Sequence, residues 1–154
     1  MKVKELMSEN PFTVNINTPL RDILEKLLGE NTGFIIVTNN NNDIAGIITL
    51  SDLFRFVFPN YNQMREHDEY LHESFSIKLR INEQEDKPAK NIMTKFPEVI
   101  NKEAPVIEAA AIMKDFKVKQ LPVVESGKLV GVITSKSIFN NLVSNNINEF
   151  SLKS

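Results

Sequence analysis

The sequence predicts an α/β (α+β) protein made of two pseudo-symmetric copies of one β-α-β-β-α unit. Short runs of β-branched and apolar residues alternate with amphipathic stretches. The same punctuation of proline, glycine and threonine occurs twice along the 154 residues. Each copy spans roughly 55 residues, a length at which one unit buries little surface by itself, so the two are expected to pack as a pair.

Superposing the copies puts Met7 on Met93, Pro11 on Pro97 and Pro19 on Pro105, each pair 86 residues apart. After the Asn-rich tract the separation falls by one, and Gly46 meets Gly131, Ile48 meets Ile133 and Thr49 meets Thr134. A single loop deletion accounts for the change.

Thr18-Pro19-Leu20 places a capping hydroxyl ahead of a proline at the first helical position. Leu20, Ile23, Leu24, Leu27 and Leu28 then mark one face of a helix. Val106, Ala109, Ala110 and Met113 repeat that face with smaller side chains. Two buried strands follow in each copy, "FIIV" and "IAGIIT" in the first, "LPVV" and "LVGVIT" in the second. The tract Asn39 to Asn42 and the dipeptide Ser126-Gly127 read as their hairpin loops. Amphipathic segments from Leu53 to Phe58 and from Ile138 to Val143 close the units.

These elements divide the chain into repeat 1 (1–58), an inserted helix and linker (59–90), repeat 2 (91–145) and a C-terminal tail (146–154). Met64, Leu71 and Phe75 carry the near-helical spacing of the insert, and "INEQEDKP" reads as its polar linker.

Composition narrows the function. Charged residues nearly cancel, with net charge −2 and a pI near 5.7, so no overall field draws the chain to nucleic acid or anionic lipid. The absence of cysteine removes disulfides, thiolate nucleophiles and Cys-based metal sites. "MKVKELMSEN" lacks the apolar core of a signal peptide, and "LFRFVF" is interrupted and too short to span a bilayer, so a cytoplasmic, membrane-free protein is expected. There is no GxxxxGK[ST] loop, no G-x-S-x-G and no HExxH, which points away from an enzyme. His67 and His72 are five apart, a poor spacing for a shared metal on one helical face, and a solvated charged helix is expected there.

The ordered set "LMSENPFTVNINTPLRDILEKLL", "FIIV", "GIITLSDLF", answered by "IMTKFPEVINKEAPVIEAAAIM", "LPVV", "GVITSKSIF", resembles a tandem pair of cystathionine β-synthase (CBS) domains, a Bateman module. The resemblance covers nearly everything but the insert. It implies a regulatory, energy-sensing module with no prosthetic group, which binds an adenine nucleotide in a cleft between the repeats. Thr49 and Asp52 would hold the ribose; a fixed carboxylate accepts well from two neighbouring hydroxyls. Ile47 would face the base and Ser51 the sugar or phosphate. Pro97, Glu98 and Val118 would line the adenine, and Lys119 is the best phosphate contact, with Lys136 weaker. A second, weaker site would comprise Pro11, Phe12, Thr32, Val132, Thr134, Lys136 and Ser137.

Asp and Ser are also good helix caps, so "TLSD" and "TSKS" can equally serve only to start a helix, and a swap between them at a cap costs little. The few basic groups favour AMP or ADP over ATP. The resemblance further implies a homodimer through the helices and a regulated protein partner that the sequence does not identify; Leu53, Phe54, Phe56 and Phe58 read as core and dimer-contact residues rather than a ligand cage. Two alternatives stand beside it: another adenosyl ligand such as S-adenosylmethionine or a cyclic dinucleotide, or a dimerising interaction module without a ligand.

Overall fold

The computed structural model describes residues 1–30, 32–66 and 73–151. Along the chain these form β1 (Thr13–Asn15), α1 (Leu20–Leu27), β2 (Phe34–Thr38), β3 (Ile44–Thr49), α2 (Leu50–Val57), α3 (Tyr61–Glu66), α4 (Glu73–Gln84), β4 (Thr94–Lys95), β5 (Ile100–Asn101), α5 (Val106–Phe116), β6 (Gln120–Glu125), β7 (Lys128–Thr134) and α6 (Ser135–Ser151). Short 3-10 turns at Val3–Glu5 and Ala89–Asn91 precede the two series. The β-α-β-β-α order expected of each copy is present twice.

The elements gather into two compact units, one of Phe12–Pro97 and one of Met1–Pro11 with Glu98–Ser154. The chain therefore leaves one unit for the other at Pro11 and again at Pro97, positions that the repeat register equates. In consequence the leading segment of each copy belongs to the body of the other copy.

In the Phe12–Pro97 unit the sheet order is β1-β2-β3-β4. β1 and β2 are parallel, and β2/β3 and β3/β4 are antiparallel. β2 is central and buried at every position, which is why "FIIV" shows no alternation. Its core joins Val14, Leu20, Ile23, Ile35, Val37, Ile48 and Leu53 to Ala89 and Ile92 of the second copy's leader. In the other unit β5-β6-β7 form the sheet, and Ser8 bridges Val132 in the place that β4 takes in the first. There Val3 joins Ile100, Val106, Ala109, Met113, Leu121, Val123, Ile133 and Ile138. Lys2 and Lys4 fasten this leader to Glu103 at 2.8 Å each, and their hydrogen bonds hold the Glu103 carboxyl down at about 2.

Close approach of these leaders explains the glycine that both copies keep. A Cβ on Gly46 would stand 2.6 Å from Met93 Sδ and 2.7 Å from the Thr94 carbonyl oxygen. On Gly131 it would stand 2.5 Å from the Ser8 carbonyl oxygen and 3.0 Å from Met7 Sδ. The methionine and the glycine of each motif thus meet across the exchange.

The hairpin loops form as expected. Ser126 and Gly127 both have positive φ, the conformation of a two-residue turn, and Asn39 Oδ1 accepts from the N–H groups of Asn41 and Asp43. Three expectations change. The Thr18 hydroxyl does not cap α1 but accepts from Asn15 N–H at 3.1 Å; Leu20 and Arg21 instead donate to the carbonyls of Lys87 and Glu85, so tertiary backbone does the capping. Leu28 leaves the apolar face because α1 stops at Leu27 ahead of Gly29 at φ +92, and it is 81% exposed. Among the described residues the insert is helical over Tyr61–Glu66 and Glu73–Gln84, and α4 runs through Ile81–Gln84, so only the end of "INEQEDKP" is linker. His67, Leu71 and His72 lie outside the described residues.

The carbonyl of Ser8 is backbone and cannot rotate away. Gly131→Ala should therefore destabilise the fold by about 1–3 kcal/mol in a urea titration; an unchanged midpoint would show that the leader does not press on β7.

Candidate functional site

β3 runs into α2 without a loop, and Thr49 is both the last strand residue and the N-cap. Four residues converge where the chain turns. Thr49 and Asp52 form a reciprocal capping box, with Thr49 N–H donating to Asp52 Oδ2 at 2.9 Å. The Thr49 hydroxyl donates to the same oxygen at 3.2 Å. Arg55, one turn along α2, donates to Oδ1 at 3.2 Å, and the Thr94 hydroxyl reaches Oδ1 at 3.3 Å and Oδ2 at 3.5 Å. Asp52 is 3% exposed.

A buried carboxylate must be hydrogen-bonded or paired, and this one is both. Its roughly four acceptor positions are filled by four donors, of which only the Thr49 amide is short. Oδ1 has no short partner: its donors are Arg55 at 3.2 Å and Thr94 at 3.3 Å. Thr94 was missed in the sequence, although Ser8, its partner in the repeat register, also carries a hydroxyl. It arrives because β4 pairs with β3, setting Thr94 opposite Ile47.

The second copy is built differently at the same corner. Ser137 N–H donates to Thr134 Oγ1 at 3.1 Å, an ordinary cap, while the Ser137 hydroxyl donates back to the Thr134 carbonyl at 2.8 Å. That hydroxyl is spent on its own helix. In both copies the first amide of the helix is capped by the carbonyl of the residue before the second strand, Leu50 by Gly33 and Ser135 by Lys119. A side chain at Gly33 would meet Leu50, whose side chain stands 2.5 Å from where a Cβ would be and, being exposed, would have to turn aside.

Of the expected ligand residues, Ile47, Thr49, Ser51, Asp52 and Pro97 belong to the Phe12–Pro97 unit, and Glu98, Val118 and Lys119 to the other. Ile47 and Thr49 are half-buried at the strand end, Ser51 is exposed and Lys119 is exposed. Of the second set, Pro11, Val132, Thr134, Lys136 and Ser137 share one unit, and Phe12 and Thr32 lie in the other. The Thr32 hydroxyl bonds the backbone of Phe34. No group of three or more potential metal ligands occurs among the described residues.

A separate feature lies between α5 and α6. There a groove of about 740 Å³ is lined by Ile107, Met113, Val118, Ile138, Phe139 and Leu142 among others. On α2, Leu50 and Phe54 are exposed, and Phe54 stacks on Phe58 with ring centroids 4.7 Å apart; Leu53 is buried and Phe56 half-buried under the Lys87 ammonium. Among the described residues no helix is long and apolar enough to cross a membrane.

The profile of the CBS domain matches residues 3–59 and 89–144. The chain belongs to the CBS domain family, as a pair of such domains, the class of regulatory module that the duplicated fold defines. It is 31% identical over 142 residues to a CBS domain-containing protein of Dictyostelium discoideum, covering 92% of this chain and 90% of that one. It spans 48% or less of three further curated relatives. Among solved structures, CBSX2 in complex with AMP superposes with a TM-score of 0.71 at 24% identity, covering 94% of this chain and 98% of that one. The CBS domain pair of protein MJ0100, in complex with 5′-methylthioadenosine and S-adenosyl-L-methionine, gives 0.64 at 20% identity, covering 96% and 99%. The family that matches is not a catalytic one.

Asp52 closes a network of strand, helix and β4, whereas Ser137 only caps. Asp52→Ala should cost about 1–2 kcal/mol of stability and Ser137→Ala less than half of that, by chemical denaturation. Equal losses would show that the Thr94 and Arg55 contacts add nothing to the cap.

Proposed function

We propose that the protein is a non-catalytic regulatory module that binds an adenine nucleotide through Asp52. The observation that carries this reading is a buried carboxylate whose Oδ1 has no short donor, only Arg55 at 3.2 Å and Thr94 at 3.3 Å. The adjacent hydroxyls of a ribose offer a better-aligned pair than a threonine and a flexible arginine drawn from different elements. Thr49 keeps Asp52 oriented while the exchange occurs, so the cap and the ligand site are one device. Ile47 on β3, opposite Thr94 of β4, supplies an apolar surface for the base. Support from outside the chain comes from the AMP complex of a structurally similar protein. AMP is the first ligand to test, ahead of ADP and ATP.

Ser137 spends its hydroxyl on Thr134, which favours one working corner and one reduced to a helix cap. The 5′-methylthioadenosine and S-adenosyl-L-methionine complex of another similar structure favours a second reading, that the ligand is an adenosyl compound other than a nucleotide. Signalling then requires that the ligand prefer one arrangement of the protein over another.

The groove between α5 and α6 favours a homodimer, because an apolar concavity of this size on a small protein calls for a cover. A second copy is the occupant that the family resemblance implies, and a regulated protein in the cytoplasm is the further partner that such a module would serve.

Thermal denaturation with a panel of adenosine, AMP, ADP, ATP and S-adenosylmethionine tests the ligand. At a hundredfold excess over Kd the true ligand stabilises the fold by about 2.7 kcal/mol, and Asp52→Asn, which keeps an acceptor but loses the charge, should abolish the shift. No shift with any compound would remove the nucleotide reading and leave the interaction module. For the dimer, sedimentation equilibrium of Phe139→Glu should give monomer where the wild type gives dimer; a monomeric wild type would refute the second copy.

A further inference from the structure

Arg55 was assigned no role by its motif, yet it is the cation paired with Asp52 among the described contacts. Resting on the nucleotide reading above, we propose that Arg55 determines whether the Asp52 site accepts a phosphorylated or an unphosphorylated nucleoside.

The charge balance carries the inference. Asp52 is buried and brings one negative charge to the place where a nucleoside's hydroxyls would sit. A phosphate on that nucleoside brings further negative charge to within about a nanometre, where repulsion by a poorly solvated carboxylate is strong. The Arg55 guanidinium, 3.2 Å from Oδ1, cancels it.

The arrangement also lets the cation move. The backbone of Arg55 is held by Arg80 of the insert, whose guanidinium donates to the Arg55 carbonyl at 3.2 Å. Its side chain is 66% exposed on a long flexible stem. Ribose hydroxyls taking over Oδ1 would release the guanidinium without unfolding anything, and the freed charge remains one helical turn from the sugar. The guanidinium end of the pair is open to solvent, which screens the contact and lowers what it adds to stability.

Comparison of the two copies supports the same conclusion. In the repeat register Asp52 falls on Ser137 and Arg55 on Asn140. The acid and its base are absent together from the second corner, as expected if they operate as a pair.

Calorimetric titration of wild type, Arg55→Gln and Arg55→Lys with adenosine and with AMP tests this. The ratio of AMP to adenosine affinity should fall about tenfold in Arg55→Gln, through weaker AMP and equal or tighter adenosine binding. Arg55→Lys, which keeps the charge, should restore it to within about threefold of wild type. Raising the salt should erode AMP binding to the wild type several-fold more than adenosine binding, a readout that does not depend on any variant folding. An unchanged ratio in Arg55→Gln, or a salt-insensitive ratio in the wild type, would overturn the proposal while leaving the nucleotide reading intact. Failure of either ligand to bind any of the three proteins would overturn both.

Discussion

A carboxylate almost wholly withdrawn from water must be satisfied from within, and at Asp52 that requirement ties three separate parts of the chain together. Thr49 comes from the end of β3, Arg55 from one turn along α2, and Thr94 from a strand that begins the second repeat. The corner between β3 and α2 is therefore not a local motif. It is complete only when β4 has paired with β3, so the ligand chemistry proposed for Asp52 depends on the exchange of leading segments.

That exchange rests on a small steric fact. β3 and β7 each carry a glycine where the incoming leader passes, and the leader's methionine and backbone carbonyl occupy the space a side chain would need. Because the crossing points Pro11 and Pro97 are equivalent in the repeat, each unit borrows the same piece from the other copy. In the core, Val3 and Ala89 fill matching positions and are completely buried. Neither repeat can then keep its own core intact if the other is lost, which is a physical reason for the duplicated chain to behave as a pair.

Much of this was legible in the sequence. The 86-residue register, the order of elements and the hairpin loops follow from periodicity, proline placement and turn residues, which are local signals. The exchange was not legible, because the same apolar leader satisfies the pattern whether it packs on its own repeat or on the other. The start of α1 misled for a related reason: Leu20 donates to the carbonyl of Lys87, as Val106 at the start of α5 does to that of Met1, and nothing near them in sequence announces those partners. Thr49 and Asp52 stood out by their spacing. Thr94 and Arg55 did not, since one is remote in sequence and the other looks like any surface arginine on a helix.

In the function proposed, one carboxylate serves two purposes, closing the corner between β3 and α2 and holding a sugar. A crystal structure of the protein grown with AMP tests this most directly. The account predicts both ribose hydroxyls within hydrogen-bond distance of Asp52, with Thr94 and Arg55 displaced from Oδ1 and the Thr49 amide still on Oδ2. Nucleotide bound elsewhere, with all four donors still closed around Asp52, would contradict it.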